Sequence, residues 1–395
     1  MKAAKRRERI EVNGVKRNRP YKLKTFALGT VAAMIFGVLL WVEAGSGAEP
    51  WRAEWEKTVE AAKKEGQLNL YLFPGGPLHP IRAGVFQKKF PEIKIVTVAG
   101  DPVPRILAER RAEKYIADIA IGGTSTPWDL YLAKALDPIK EAMILPEVAD
   151  ESKWWQGRHR YVDQERKYAF VFIGIPQTGN IAYNTNLIDP SEFQALWDFV
   201  KPKWKGKISA RDIRASGTGT VAIRIFYHNP KLGPEFIRRL FSEMDITLFR
   251  DRRQGVDWMA TGKHPICFFC SRTDVAQARQ QGLPVAEFGA MKEGVGITSS
   301  GGNIGLLNRA PHPNAAKVYI NWFLSREGQM TLQTEYAKAG ASDANSLRID
   351  IPKEMVPPES RLKTDINYID VDTADRMSME PILKVFNEAL AKAGK

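Results

Sequence analysis

Between residues 51 and 123 helical and extended patterns alternate without a break, and this restricts the fold more than any other feature of the chain. Trp51, Trp55, Val59 and Ala62 recur at helical spacing, and Gly66 stands where a helix C′ residue belongs. Residues 68–73 read as a strand, stopped by Pro74, Gly75, Gly76 and Pro77. A helical stretch over 81–90 then precedes a strand over 93–99. A polar helix over 102–114 and a strand over 117–121 follow, ended by Gly122 and Gly123. Such alternation predicts a parallel sheet covered by helices on both faces. Right-handed crossovers put the three strand ends on one edge, and open sheets of this kind bind ligands outside that edge. The loops at 73–77, 100–102 and 122–127 are therefore candidate contact loops. From them we take Phe73, Gly75, Gly76, Thr124, Ser125 and Thr126.

The middle of the chain carries a second set of elements. Residues 168–175 are β-rich, 176–180 (P-Q-T-G-N) interrupt them, and 181–183 resume. A strand over 207–210, a helix over 234–241 and strands near 266–269 and 285–288 come next. Residues 295–303 lead back to G-G-N-I-G-L-L-N-R-A-P-H-P-N-A-A-K-V-Y-I-N-W-F-L-S-R-E-G-Q, which covers 301–329. Its Gly-Gly pair lets the backbone turn or pass close to another group, and 304–307 form an apolar strand. Pro311 and Pro313 prevent strand or helix from continuing. Asn314 reads as an N-cap, ahead of one apolar helix face formed by Ala315, Val318, Tyr319, Trp322 and Phe323.

This 301–329 stretch resembles the return crossover of type II periplasmic solute-binding proteins, and more narrowly of the iron(III)-type branch of ABC-transporter binding proteins. W-E-K-T-V-E-A-A-K-K-E-G-Q-L-N-L-Y, A-E-R-R-A-E-K-Y-I-A-D-I-A and S-K-W-W-Q-G-R-H-R-Y-V-D are similar to further stretches of that family. The resemblance implies an α/β, two-lobed type II fold, each lobe a parallel-dominated sheet flanked by helices, with two crossover segments between them. Residues 49–175 with 301–345 would form lobe 1 and 176–300 lobe 2. Residues 346–395 would form a C-terminal helical segment packing on the lobes. It further implies a periplasmic, monomeric chain that captures a small solute between the lobes and delivers it to ABC permease and ATPase subunits at the inner membrane. Two such crossings make a hinge, because few residues must change their backbone angles.

The iron branch holds its metal with a tandem tyrosine pair, a histidine and a glutamate. By the surrounding phrases the tyrosine pair falls near Ser271 and Arg272 and the glutamate in Gly122 and Gly123. His79 is offset by several positions. The resemblance thus carries the fold and the transport role but not the metal. No metal and no cofactor are expected. An apolar wall of Phe268, Phe269 and Trp128 suits an organic ligand.

Net charge enters only to exclude a nucleic-acid partner. Of the formal +13, residues 1–48 hold ten Lys/Arg against three Asp/Glu, and the remainder only 48 against 42. No basic stripe with interleaved aromatics appears downstream. Those first 48 residues run from a basic segment through an apolar run at 26–42 to Ser46, Gly47 and Ala48. This is the order of a secretory signal cut after Ala48. An uncleaved anchor is the alternative, and would make the chain a membrane-tethered sensor. Cys267 and Cys270 are the only cysteines, in C-F-F-C. Structural thiols or a plain disulfide account for them, with a thioredoxin-like redox site as the sharper reading.

Chemistry is sparse elsewhere. Ser216, Gly217 and Thr218 open a Gly/Ser/Thr loop ahead of an apolar helix, where unpaired N–H groups suit an anion or simply an N-cap. In the related proteins this loop lies where an anionic ligand sits. Arg211 ends a strand and either forks onto a carboxylate or phosphonate or pairs with Asp212. Ser299 offers a small donor in the return crossing, and Phe269 an aromatic wall. The five histidines are scattered outside any metal or nucleophile motif. No catalytic residue is assigned; a thiol-dependent enzyme on the same fold is the remaining enzymatic alternative.

Overall fold

In the computed structural model the described residues are 49–72, 84–215, 218–339 and 345–395. The leader, Phe73, Gly75, Gly76, Ser216 and Gly217 lie outside them. The described residues pack as one unit.

The strands are β1 (Gln67–Leu72), β2 (Lys94–Ala99), β3 (Ile119–Gly122), β4 (Leu136–Asp137), β5 (Arg160–Tyr161), β6 (Phe170–Val171), β7 (Ile175–Gln177) and β8 (Ala182–Asn184). They continue as β9 (Ile208–Arg211), β10 (Thr247–Phe249), β11 (Ile266–Phe268), β12 (Val285–Glu287), β13 (Gly296–Thr298), β14 (Asn303–Leu307) and β15 (Ile369–Asp370). The helices are α1 (Pro50–Glu65), α2 (Val85–Lys89), α3 (Pro102–Arg111), α4 (Ser125–Leu132), α5 (Pro146–Ala149) and α6 (Thr218–His228). After them come α7 (Gly233–Glu243), α8 (Arg252–Ala260), α9 (Arg272–Gln280), α10 (Pro313–Leu324), α11 (Arg326–Lys338) and α12 (Glu380–Lys392).

Three sheets result. The first runs β2-β1-β3-β14-β6-β5 with β4 beside β14, the second β10-β9-β11-β8-β12, and the third β15-β13-β7. The parallel pairing expected from helix–strand alternation holds for β2-β1-β3 and for β10-β9-β11. Strands that enter from a crossing run the other way: β14 is antiparallel to β3 and β6, and β8 to β11 and β12. Both sheets are therefore mixed, because a segment arriving from the other half reaches its slot from the opposite end.

Each large sheet has its own apolar core. Leu70, Ile121, Phe170, Tyr319 and Trp322 belong to the first. Ile208, Phe226, Phe236, Phe268 and Phe386 belong to the second. Trp154, from the S-K-W-W phrase, is buried in the first core with its ring 5.0 Å from Phe170. The C-terminal segment divides between the two. Ser346 and Arg348 bridge to Ile173 and Trp154, whereas α12 inserts Ile382, Phe386 and Leu390 into the second core, Phe386 lying 4.7 Å from Phe241.

The 301–329 stretch folds as read, except for its cap. Gly302 has no room for a side chain, since a Cβ there would sit 2.2 Å from the Ile173 Cβ. Helix α10 begins at Pro313, and Asn314 lies inside it. The free N–H groups are met instead by Glu65 at the end of α1. Its carboxylate accepts from the Asn314 side chain (2.6 Å) and from the Ala315 backbone (2.7 Å). His312 docks beside it on Asp118, the residue before β3, Nδ1 to Oδ2 2.9 Å, while its backbone N–H donates to Oδ1 at 2.8 Å. Among the described residues no helix is long and apolar enough to cross a membrane.

Candidate functional site

The two chain crossings meet in the third sheet, where β13 pairs antiparallel with β7 and parallel with β15. Just past β13, Ser299 is fully buried and accounts for all its bonding capacity. Its backbone N–H and its hydroxyl both donate to Asp372 Oδ2, at 2.8 and 2.9 Å. A serine hydroxyl has one hydrogen, so the Thr124 hydroxyl 2.8 Å away must donate to Ser299, as does Asn303 Nδ2 at 2.8 Å. Asp372 also receives Arg224 of α6, Nη2 to Oδ1 3.1 Å, and Arg224 donates to the Val371 carbonyl at 2.7 Å. Next to it Arg160 of β5 forks onto Asp370. Burial pushes the Asp372 carboxyl up, but Arg224, Arg160 and the two Ser299 donors outweigh it and hold it below the ordinary carboxylate range. This enclosed network ties together α4, the return crossing, α6 and the C-terminal segment.

Two of the expected contact residues, Thr124 and Ser299, are thus brought together, but they are spent on internal bonds. Thr126 is buried at the start of α4, and only Ser125 of that trio is exposed. On the second sheet's carboxyl edge, Thr218 opens α6 and its hydroxyl donates to the Phe269 carbonyl at 2.8 Å. Arg211 ends β9 half-buried; burial first, and then neighbouring Arg252, push its guanidinium below the usual value. Asp212 pairs with Arg214 (2.8 Å) and Arg250 (3.3 Å), so the Asp212 pairing considered for Arg211 falls to its neighbours.

Phe269 departs from the expected aromatic wall. Its ring is 0% exposed and lies in the second core, 5.9 Å from Phe226. Its backbone is left-handed, at φ 62°. That geometry turns the ring inward, where a ligand outside the sheet edge cannot touch it. Phe268 is equally enclosed, while Trp128 is half-buried and packs 5.8 Å from Tyr131. Cys267 and Cys270 are joined as a disulfide and buried, and the Cys270 N–H donates to the Asn180 carbonyl (3.0 Å) of the first crossing.

The positions aligned with the iron-branch ligands have other uses. The Gly122 carbonyl accepts from Asn303 Nδ2, at 3.3 Å. Ser271 caps α9, and Arg272 pairs with Glu287 at 3.3 Å. His79 lies outside the described residues. Among the described residues no three His, Cys, Asp or Glu side chains converge as a metal site.

Arg272 faces a feature that sequence reasoning missed. A cavity of about 1000 Å³ opens beside the third sheet, between α9, the end of β12 and residues 358–368. Arg279, Arg361, Lys363 and Tyr368 also line it. No local pattern could have found it, because its walls are some 90 residues apart in the chain.

No protein-family profile matches the chain. An uncharacterized protein of Haemophilus influenzae is 23% identical over 290 residues, covering 68% of this chain and 76% of that one. Solved structures resemble it more broadly. A Trichodesmium IdiA (FutA) protein, in complex with iron and citrate, superposes with a TM-score of 0.62 at 18% identity, over 82% of this chain and 99% of that one. The fold is that of the two-lobed periplasmic binding proteins. The periplasmic binding protein AfuA of Actinobacillus pleuropneumoniae, with exogenous fructose-6-phosphate bound, shares it at TM-score 0.57 and 20% identity, over 83% and 99%. A ferric binding protein from Campylobacter jejuni does so at 0.58 and 16%, over 82% and 99%. In this periplasmic-binding-protein fold the third sheet of the present chain is where both crossings run.

Proposed function

We propose that the chain is the substrate-binding component of an ABC import system. It takes a small solute, an organic anion, between its lobes in the periplasm and hands it to the permease. The lobes are 49–175 with 301–345 and 176–300, and 346–395 braces both. The observation that carries this reading is the pair of separately cored sheets joined through one narrow three-stranded sheet. A ligand that touches both halves can close such a joint, whereas one that binds open and closed forms equally shifts nothing.

Ser125, Arg211 and Thr218 are the contacts we assign, since each stands on a sheet's carboxyl edge with its side chain at least partly open. A micromolar affinity corresponds to about 8 kcal/mol, which a few convergent hydrogen bonds supply. Cys267 and Cys270 are buried and oxidised, which speaks against a thiol-dependent enzyme.

Thermal melting of the protein against organic anions, amino acids, polyamines and ferric citrate tests the reading, with scattering measured on any combination that shifts. The expected result is a rise of several degrees with an anion and a smaller radius of gyration. A rise with ferric iron alone would overturn the choice of ligand. Chemical conversion of a bound compound would overturn the transport role.

A further inference from the structure

The cavity beside the third sheet has an unbalanced lining. Four cations, Arg272, Arg279, Arg361 and Lys363, face it against two carboxylates, Glu287 and Glu359. Of these six lining residues only Arg272 and Glu287 pair with each other, at 3.3 Å. Arg361 turns its guanidinium on the Val356 and Glu354 carbonyls (2.8 and 3.2 Å), which orients the group without neutralising it. Arg279 and Lys363 have no carboxylate within ion-pair distance among the described residues. Several arginines elsewhere in the chain are matched. Arg252 is matched to Asp274, Arg253 to Asp257 and Arg239 to Glu243.

The remaining wall is largely apolar, with Thr178 and Gln280 as its uncharged polar side chains. Phe288 is buried at its base, and Ile366 and the half-buried Tyr368 stand opposite. The Tyr368 hydroxyl is fixed from behind, accepting the Lys363 N–H at 2.9 Å, so the Lys363 backbone and the ring are held as one unit. About 1000 Å³ is at the upper end of what small-ligand pockets occupy, and mostly apolar walls with a few placed charges are their usual chemistry.

We propose that this cavity is a binding site for an anion carrying an aromatic or alicyclic body, with two negative charges to match the lining's surplus of two cations over carboxylates. The ring lies against Phe288 and Tyr368. The charged groups reach Arg279 and Lys363, with Arg361 as a further donor. The site shares no residue with Ser125, Arg211 or Thr218, and it stands whether or not the chain serves import.

The test is titration calorimetry of the full chain with isophthalate as probe. Benzyl alcohol (ring without charge) and sodium sulfate (charge without ring) are the comparators. Isophthalate is expected to bind at a single site, with both comparators at least tenfold weaker. In R279Q/K363Q the dissociation constant should rise at least tenfold, and Y368A should weaken binding with unchanged salt dependence. R211Q is expected to leave isophthalate binding unchanged, and unaltered melting of each apo variant shows that it is folded. Sulfate binding as tightly as isophthalate, or R279Q/K363Q binding like the parent, overturns the site. Loss in R211Q with retention in R279Q/K363Q also overturns it, and assigns the anion to the interlobe edge instead.

Discussion

Two arginine–carboxylate groups flank the same crossing, and they are built to opposite ends. At the Ser299 side, Arg224 and Asp372 are 4% and 0% exposed at their side chains, and every oxygen of the carboxylate is matched. At the cavity side, Arg272 and Glu287 are 20% and 33% exposed, and Arg279 and Lys363 stand by without carboxylates among the described residues. An enclosed charge with a missing partner is costly, so the first group tolerates no vacancy. A cation at an open rim keeps its hydration and can wait for a partner from outside. The difference teaches that burial, rather than residue type, separates a polar group that holds the fold from one that is available for recognition.

The comparison can be broken most directly at Asp372. Asp372→Ala leaves Arg224 buried and unpaired and frees both Ser299 donors, so a loss of about 3–5 kcal/mol in urea unfolding is expected. Glu287→Gln at the cavity should cost under about 1 kcal/mol in the same measurement. Equal losses would erase the distinction. Phe269→Ala comes next: deleting a buried ring should remove about 3–5 kcal/mol of stability. Solute affinity should stay unchanged, because the ring faces the core. A variant of normal stability that has lost its ligand would return Phe269 to the binding surface. Ser299→Ala should cost about 1–3 kcal/mol, as Asp372 loses one donor and Thr124 and Asn303 an acceptor.

Acid destabilisation should come from the enclosed side, because burial raises the Glu287 carboxyl whereas the Asp372 carboxyl is held low. The Asp372 carboxyl titrates lower in the folded chain than in the unfolded one, so its stabilisation is present above the ordinary value of about 3.9. That contribution is lost as pH falls through the folded value, and Asp372→Asn should flatten the acid limb of a melting-temperature profile. A separate effect at higher pH belongs to Lys353, which burial pushes down to about 7 against a partial pull upward from Asp350. Between about pH 7 and about 10.4 the unfolded chain binds the extra proton, so this group makes stability rise with pH across that window. Lys353→Met should remove that slope.

Among the described residues, the order of helices and strands between 51 and 123, the Gly66 stop and the turn through Pro311 and Pro313 were legible from spacing alone. Gly66 takes φ 68° and its N–H bonds to the Ala62 carbonyl at 3.0 Å, as the helix-end reading required. The site was less legible. Thr124 and Ser299 were chosen for their loop positions, and they do lie at the crossing. Their hydroxyls nevertheless answer to each other and to Asp372, a residue that no local pattern distinguishes. Phe269 was misread for a different reason: a left-handed backbone at a phenylalanine reverses the side a ring faces, and nothing in C-F-F-C announces it.

Periodicity and turn chemistry depend on neighbours within a few positions, so the sequence by itself determined the alternation of elements, the places where they stop and which face of each is apolar. Polar partnership depends on which distant segments arrive at the same place. Only the tertiary structure could decide that Glu65 caps the helix at Pro313, that Asp372 closes the crossing, and that Arg279 and Lys363 line one cavity. These pairings join residues tens to hundreds of positions apart, where chain connectivity carries no signal and packing of the two cores sets the geometry.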